Sequence, residues 1–311
     1  MRTFTRLLAT STVVGLGLVA LDLALNSGAQ ASAVERPVFA SWVPPAWHPD
    51  SEALQVLPAM DQEGRGEALG LRSATSFVFD VDAEEVLYAR GADERRPVAS
   101  LTKYVSALAM STEQVDLDDV HCVDARFYPT RSGARSRFST DECYIGWDLM
   151  GSALVASDNR GAYGLAVQSG LRYDEFIGRM DQVSVDLGMA MSTWADPSGL
   201  EDENLSTARD MAKAAVAVAW HPVLTVAATA RDWSLEPVIG RRDRKLNATN
   251  RLLRRDDIEV LSGKTGYTDT AGYCFTGVVR TESGRTLAVT LLGAPRSRDR
   301  WRDLDVVLRQ Y

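Results

Sequence analysis

Histidine and cysteine are scarce in this chain of 311 residues, which contains only three of each. Three cysteines are too few for a four-thiolate zinc site, and too few for a small fold held together by several disulfides. The histidines are far apart, and none belongs to an H-E-x-x-H or similar ligand pair. The sequence therefore predicts neither a metal site nor a bound cofactor.

Positive charge is also in short supply, because 34 basic residues face 42 acidic ones and the net charge is −8. A nucleic-acid-binding protein needs a basic surface to meet phosphates, so we expect no nucleic-acid partner. The chain has no G-x-S-x-G elbow, which argues against a hydrolase with a Ser-His-Asp triad. Apolar residues make up 45% and charged residues 24%, as in a globular protein with a sizeable core.

Long apolar runs are missing except at the N-terminus. Arg2 and Arg6 precede an apolar run over 7–25, and three small residues follow at 31–33. This is the layout of a secretory signal peptide over 1–33, cleaved after Ala33; the alternative is an uncleaved membrane anchor. With cleavage, we expect an exported protein without a stable membrane anchor, located in the periplasm or another extracytoplasmic space, including the cell wall.

Beyond the predicted signal peptide, the composition and periodicity of the sequence change several times. Residues 34–72 contain five prolines and little periodicity, and we interpret them as a mobile leader. Strand patterns begin after residue 73, helical patterns dominate from about 112 to 255, and strand patterns return over 258–292 before a closing helix. A single domain over 73–311 is therefore expected to be α+β. It would have an antiparallel sheet flanked by helices and an inserted, mostly helical subdomain.

Two of the cysteines bracket a polar segment rich in arginine. Cys122 and Cys143 are 21 positions apart. An exported protein enters an oxidising compartment, so we expect a disulfide between them, with two free thiols as the alternative. The arginines between them would either line a substrate cleft or lie in a solvated loop.

The first of three short motifs is Ser100-Leu101-Thr102-Lys103, at the start of a predicted buried helix. The spacing of three puts Ser100 and Lys103 on one face of that helix. A serine hydroxyl becomes a good nucleophile when a neighbouring base takes its proton. A buried lysine can be that base, because desolvation lowers its pKa.

The other two motifs are Ser157-Asp158-Asn159, after a predicted helix, and Lys264-Thr265-Gly266, within a predicted strand. Each motif alone has an ordinary alternative: a solvated lysine, a polar turn, or an edge strand protected by a lysine. The three motifs together, in this order and in these contexts, are far more specific. They form the trio of serine β-lactamases and penicillin-binding proteins.

On these motifs the chain resembles the D-alanyl-D-alanine carboxypeptidases and endopeptidases, the low-molecular-mass penicillin-binding proteins, which have the β-lactamase/DD-peptidase-like fold. The resemblance extends from about residue 73 to the C-terminus. It includes Arg96-Pro97-Val98-Ala99, Asp196-Pro197-Ser198-Gly199-Leu200, Ser206-Thr207-Ala208-Arg209-Asp210 and the run from Lys264 to Thr268. It implies a serine peptidase that acts on peptidoglycan stem peptides through an acyl-enzyme and that β-lactams inhibit covalently.

The resemblance also implies a role for each matching residue. Ser100 would be the acylated nucleophile, Lys103 its general base and Ser157 a relay of protons to the leaving group. The remaining predicted substrate contacts are the amide of Asn159, the carboxylate-binding side chains of Lys264, Thr265 and Arg300, and the strand residues Gly266 and Tyr267. The backbone N–H groups of Ser100 and Tyr267 would form the oxyanion hole. For Arg300, the alternative is an arginine on the surface.

Three functional alternatives follow. Because the sequence stops soon after its last predicted helix, we expect it to resemble the short endopeptidases more than carboxypeptidases with an extra C-terminal β domain. A class A-like serine β-lactamase would use a glutamate, Glu201 or Glu203, to activate the deacylating water. A non-catalytic peptidoglycan- or penicillin-binding protein would not need a paired nucleophile and base.

Overall fold

The computed structural model describes residues 54–64, 68–127, 136–240 and 242–311. The predicted signal peptide and residues 34–53 of the predicted leader lie outside these ranges. Among the described residues, no helix is both long and apolar enough to cross a membrane.

The helices are α1 (Thr102–Ser111), α2 (Gly146–Val155), α3 (Asn159–Gln168), α4 (Tyr173–Asp186), α5 (Ala208–Trp220), α6 (Leu224–Ala228) and α7 (Ser297–Gln310). The strands are β1 (Thr75–Asp80), β2 (Glu85–Arg90), β3 (Arg96–Pro97), β4 (Val120–Cys122), β5 (Cys143–Ile145), β6 (Leu205–Ser206), β7 (Asp232–Leu235), β8 (Arg244–Asn247), β9 (Ile258–Thr268), β10 (Gly272–Thr281) and β11 (Thr286–Ala294). Short 3-10 turns span Leu57–Asp61, Ala99–Leu101, Ala125–Phe127 and Arg251–Arg254.

A five-stranded antiparallel sheet in the order β2-β1-β11-β10-β9 forms the centre of the domain. Strands from the two ends of the domain meet where β1 pairs with β11. Alternate side chains of a strand point to opposite faces. Phe77 and Phe79 of β1 pack into the core with the inserted helices, whereas Val78 packs with Leu304 and Val307 of α7. The predicted α+β class, with helices flanking an antiparallel sheet, is confirmed.

The inserted segment that was predicted to be mostly helical packs directly on the sheet. Helix α5 packs on β9, β10 and β11, and the hydroxyls of Ser262 and Thr276 donate to the carbonyls of Ala215 and Met211. The alanine and valine side chains of α5 are small, so the helix lies close against the sheet. One continuous apolar core therefore joins the inserted helices to the sheet.

The described part of the predicted leader is packed rather than mobile. Leu57 and Met60, in the turn Leu57–Asp61, are buried in the main core. Asp61 accepts a 2.7 Å hydrogen bond from the buried amine of Lys213 on α5. The sequence did not indicate this packing, because one short 3-10 turn has too few residues to show a period. Among the described residues, the main core begins at Leu54.

Cys122 and Cys143 lie opposite each other on β4 and β5 and form a disulfide. Cys143 also pairs with Ile239, so the disulfide lies next to a third chain segment. Arg131 and Arg135 of the arginine-rich segment lie outside the described residues. Within the described part, Arg126 is exposed and pairs with Asp124.

Helix α2 packs against the β7–β8 hairpin through two tryptophans, at a point where the helix has a glycine. The rings of Trp147 and Trp233 are 5.2 Å apart, and the indole of Trp233 covers Gly151. A Cβ on Gly151 would overlap that indole. Gly178, also inside a helix, is exposed, and a Cβ there would meet nothing within 4 Å.

These two glycines give opposite predictions for the same substitution. Gly178→Ala should stabilise the protein by up to about 1 kcal/mol, because alanine is the better helix former. Gly151→Ala should destabilise it by about 1–3 kcal/mol, because overpacking outweighs helix propensity. Thermal unfolding of the two variants measures the difference. Equal shifts of the midpoint in the same direction would contradict this account of the Trp233 contact.

Candidate active site

Ser100 lies in the 3-10 turn Ala99–Leu101, which leads directly into α1 at Thr102. Its neighbour Ala99 has a left-handed backbone with φ of 49°. Gly199 is pressed against this turn so closely that a Cβ there would overlap the carbonyl of Ala99. Ser100 itself remains partly exposed, and its hydroxyl faces a cleft.

Lys103 follows on the fully buried helix α1. Its amine has three neighbours: the hydroxyl of Ser100 at 2.8 Å, Oδ1 of Asn159 at 2.7 Å and the carbonyl of Ser198 at 2.6 Å. Burial lowers the pKa of Lys103 to about 7, although the carboxylates of Asp196 and Asp158 act in the other direction. A large fraction of this lysine is therefore neutral at neutral pH.

The three neighbours decide what a neutral Lys103 can do. An uncharged amine has two N–H groups and one lone pair. The carbonyl of Ser198 and Oδ1 of Asn159 can only accept hydrogen bonds, so they take both N–H groups. The lone pair is then left facing the hydroxyl of Ser100, which is the arrangement of a nucleophile and its base.

The carbonyl of Ser198 is held by a hydrogen-bonded loop. Oδ1 of Asp196 accepts from the backbone N–H of Gly199 at 2.7 Å and from Nδ2 of Asn204 at 2.6 Å. Oδ2 of Asp196 accepts from the hydroxyl of Ser198 at 2.6 Å. The sequence indicated this loop only through its resemblance and gave no role to Ser198 or Asn204.

Ser157 and Lys264 approach the cleft from the opposite side. The amine of Lys264 donates to the hydroxyl of Ser157 at 2.7 Å and to the carbonyl of Thr265 at 3.0 Å. Lys264 is fully buried, and its pKa is well below the ordinary value. The main cause is burial, to which the positive charges of Lys103 and Arg300 add. Ser157 has a left-handed backbone with φ of 60°.

Asp158, between the two motif residues, is a residue whose role the sequence did not reveal. Its carboxylate caps α3 by accepting from the backbone N–H groups of Arg160 and Gly161. It also accepts from the hydroxyl of Ser136 at 2.8 Å and from the backbone N–H of Arg137 at 2.7 Å. The segment bounded by the disulfide therefore holds the turn that carries Ser157 and Asn159.

Thr265, Gly266 and Tyr267 lie on the edge strand β9 beside the nucleophile. A Cβ on Gly266 would be 3.1 Å from the backbone nitrogen of Ser100 and 3.0 Å from the carbonyl of Val98. Glycine is needed here because a side chain would push β9 away from Ser100. The ring of Tyr267 is half exposed and stacks on Tyr273 at 4.3 Å.

Arg300 is not a surface arginine, since only 6% of it is exposed. Its Nη1 donates to the carbonyls of Cys274 at 2.9 Å and Gly266 at 3.3 Å, which supports β9 from behind. Burial is the main cause that lowers the pKa of Arg300 to about 10, so the side chain stays positive at neutral pH.

Six of the nine predicted site residues line one cleft of about 410 Å³. The other three, Lys103, Asn159 and Lys264, are buried and are not part of the lining of this cleft. The walls of the cleft are formed by Ser100, Ser157, Thr249, Arg251, Thr265, Gly266, Tyr267, Tyr273, Ser297, Arg300 and Trp301. The sequence did not assign Thr249, Arg251 or Ser297 to the site. No described residue between Cys122 and Cys143 is among the walls.

The family model of the D-alanyl-D-alanine carboxypeptidases, peptidase family S11, matches residues 63–295. The chain belongs to this family. It is a serine-type D-Ala-D-Ala peptidase, a carboxypeptidase or an endopeptidase, and a penicillin-binding protein. Neither the β-lactamase nor the non-catalytic alternative is favoured by this match.

Relatives of both activities are similar to this D-Ala-D-Ala peptidase. The D-alanyl-D-alanine endopeptidase of Escherichia coli is 30% identical over 211 residues, which are 68% of this chain and 67% of the relative. The D-alanyl-D-alanine carboxypeptidase DacF of Bacillus subtilis is 26% identical over 263 residues, 80% of this chain and 66% of the relative. The structure of penicillin-binding protein D2 from Listeria monocytogenes, in its cefotaxime-bound form, matches with a TM-score of 0.65 and 25% identity. That match covers 77% of this chain and 96% of the other.

The environment of Lys103 predicts how labelling by a fluorescent penicillin depends on pH. The rate should rise with a midpoint near pH 7 and level off above about pH 8, because only neutral Lys103 can take a proton from Ser100. Asp196→Asn removes a carboxylate that raises the pKa of Lys103, so the midpoint should move to lower pH. Asp174→Asn, on the exposed start of α4, should leave the midpoint unchanged. A midpoint that Asp196→Asn does not move would contradict this electrostatic account.

Proposed function

We propose that this protein is an exported D-alanyl-D-alanine endopeptidase that cleaves cross-links between peptidoglycan stem peptides through an acyl-enzyme at Ser100. The observation that carries the proposal is the 2.8 Å contact between the amine of Lys103 and the hydroxyl of Ser100. In its neutral form, that fully buried amine has only its lone pair left for the hydroxyl.

In the first step, Oγ of Ser100 attacks the carbonyl carbon of a D-alanine while Lys103 takes the hydroxyl proton. The negative charge that develops on the carbonyl oxygen is stabilised by the backbone N–H groups of Ser100 and Tyr267. The close approach at Gly266 supports this pairing, since it brings β9 next to the nitrogen of Ser100.

Collapse of this intermediate breaks the C–N bond, and the leaving amine needs a proton. We assign the transfer to Ser157, whose hydroxyl is bound to the amine of Lys264 and which relays to the leaving amine the proton that Lys103 took from Ser100. Water then attacks the ester while the neutral Lys103 takes a proton from it. Lys103 passes this proton to Oγ of Ser100 as the ester bond breaks and the carboxylic acid is released. Oδ1 of Asn159 is held by the amine of Lys103, and the other end of the Asn159 side-chain amide binds the substrate amide.

The carboxylate next to the scissile bond binds at Lys264 and Thr265. The pKa of Lys264 is depressed by burial and by two nearby cations, so an incoming carboxylate strengthens the protonated form. Arg300 acts on this site mainly through its charge and through its support of β9, because its Nη1 is already bound by two carbonyls.

Two observations support cleavage of cross-links rather than trimming of single stems. The cleft has a volume of about 410 Å³ and is lined by Arg251, Ser297 and Trp301 as well as by Thr265, which leaves room for a leaving group larger than D-alanine. The endopeptidase of E. coli is also more similar in sequence than the carboxypeptidase of B. subtilis.

The location outside the cytoplasm is part of the same proposal. Peptidoglycan, the substrate of this family, lies outside the cytoplasmic membrane. The signal-peptide pattern over 1–33 and the disulfide between Cys122 and Cys143 support export to an oxidising compartment.

Mass spectrometry of purified muropeptides, pentapeptide monomers and cross-linked dimers together, tests this function. The unaltered protein should convert dimers to monomers and should be labelled by fluorescent penicillin. Ser100→Ala should lose both properties, whereas Ser234→Ala, at an exposed serine of β7, should keep both.

Two results would contradict the proposal in different ways. Loss of terminal D-alanine from the monomers, with the dimers left intact, would identify a carboxypeptidase. Dimer cleavage and penicillin labelling that both persist in Ser100→Ala would exclude Ser100 as the nucleophile.

A further inference from the structure

The cleft contains a second positively charged region beyond the one assigned to the scissile bond. Arg251 opens the 3-10 turn Arg251–Arg254, directly after Asn250. Asn250 is buried and caps that turn by accepting from the backbone N–H of Leu252. The preceding residue, Thr249, accepts a 2.8 Å hydrogen bond from the hydroxyl of Thr265. The backbone that carries Arg251 is therefore fixed to the strand that borders the cleft.

The guanidinium of Arg251 lies against an aromatic ring, and no described carboxylate pairs with it. Its central carbon lies 5.8 Å from the ring centroid of Trp301, and the residue is exposed. The acidic residues of the neighbouring segment have other partners: Asp257 and Asp305 pair with Arg255, and Asp256 lies near Arg231. Within the described ranges, no carboxylate lies within ion-pair distance of Arg251.

Trp301 connects this arginine to Arg300, whose guanidinium carbon lies 4.6 Å from the same ring. The positive charge of Arg251 is one of the causes that lower the pKa of Arg300. The two arginines therefore repel each other across the tryptophan. An anion bound at this end of the cleft would relieve that repulsion.

The two substrates of a D-Ala-D-Ala peptidase, pentapeptides and cross-links, differ in the number of carboxylates on the leaving group. The leaving D-alanine of a pentapeptide has one carboxylate, which Lys264 and Thr265 would take. The leaving group of a cross-link is a whole stem peptide, which has further carboxylates beyond the one beside the scissile bond. Only the longer leaving group has a second anionic group that can reach Arg251.

We propose that Arg251, resting on Trp301, forms a second anion subsite that binds a carboxylate of the released stem peptide and so favours cross-links over pentapeptides. The inference rests on the proposed endopeptidase function and names the side chain that selects its substrate. Arg251 acts on substrate binding, not on the proton transfers at Ser100.

Arg251→Gln tests the subsite, because it removes the charge and keeps a polar side chain of similar reach. The ratio of kcat/KM for cross-linked dimers to kcat/KM for pentapeptides should fall by about tenfold, mainly through a higher KM for the dimers. Arg251→Lys should keep part of the preference. Labelling by fluorescent penicillin reports whether the variants are folded.

Two controls separate recognition of a carboxylate from a general effect. Arg254→Gln removes an exposed arginine from the same 3-10 turn but outside the cleft, and should leave the ratio unchanged. With dimers whose released stem is amidated at every free carboxylate except the one beside the scissile bond, the unaltered protein and Arg251→Gln should have similar kcat/KM values.

Three outcomes would overturn the inference. An unchanged ratio in Arg251→Gln, or an equal loss on dimers and pentapeptides, would exclude the subsite while leaving the endopeptidase function intact. An undiminished effect of Arg251→Gln on amidated dimers would exclude a carboxylate as the ligand. Failure of the unaltered protein to cleave dimers would instead overturn the proposed function, and the subsite with it.

Discussion

The burial of one lysine amine is the constraint on which the rest of the site depends. A buried amine without partners would cost more free energy than a small domain can offset, so it must be hydrogen-bonded and easily neutralised. The fold meets both requirements by bringing three separate segments to Lys103: the turn at Ser100, the start of α3 at Asn159 and the loop carbonyl of Ser198. Two of these partners can only accept, which leaves Ser100 as the group to be deprotonated.

A second buried lysine gives the cleft its preference for anions. Lys264 is close enough to Lys103 and Arg300 for their charges to lower its pKa, and Arg251 adds a further cation at the open end. This concentration of positive charge occurs in a chain with a net charge of −8. The repulsion among these groups is electrostatically unfavourable in the empty site. A carboxylate of the substrate relieves it. Binding and the protonation state of the site are therefore coupled.

The sequence could predict those parts of the site that depend on short-range geometry. The helix places Ser100 beside Lys103 at a spacing of three, and the strand pattern places Lys264 and Gly266 on the sheet. It could not predict the partner carbonyl of Ser198, because a backbone group has no sequence signal of its own. The role of Arg251 could not be predicted either, because a four-residue 3-10 turn shows no period. The same reason accounts for the packed segment 54–64, whereas the α+β order of the domain follows from long, clear patterns.

Backbone strain is concentrated where the chemistry is proposed. Of the three non-glycine residues with positive φ in the described part of the chain, Ala99 precedes the nucleophile and Ser157 is the proposed proton relay. Such conformations cost about 1–3 kcal/mol each and persist only where the surroundings hold them. Gly199 packs against the carbonyl of Ala99, while Lys264 and the capped turn at Asp158 hold Ser157. Because Asp158 is also bound by residues 136 and 137, the segment between the two disulfide-bonded cysteines stabilises the turn that carries Ser157, although its described residues do not line the cleft. That turn is one of the two strained turns that place Ser100 and Ser157 in the same cleft.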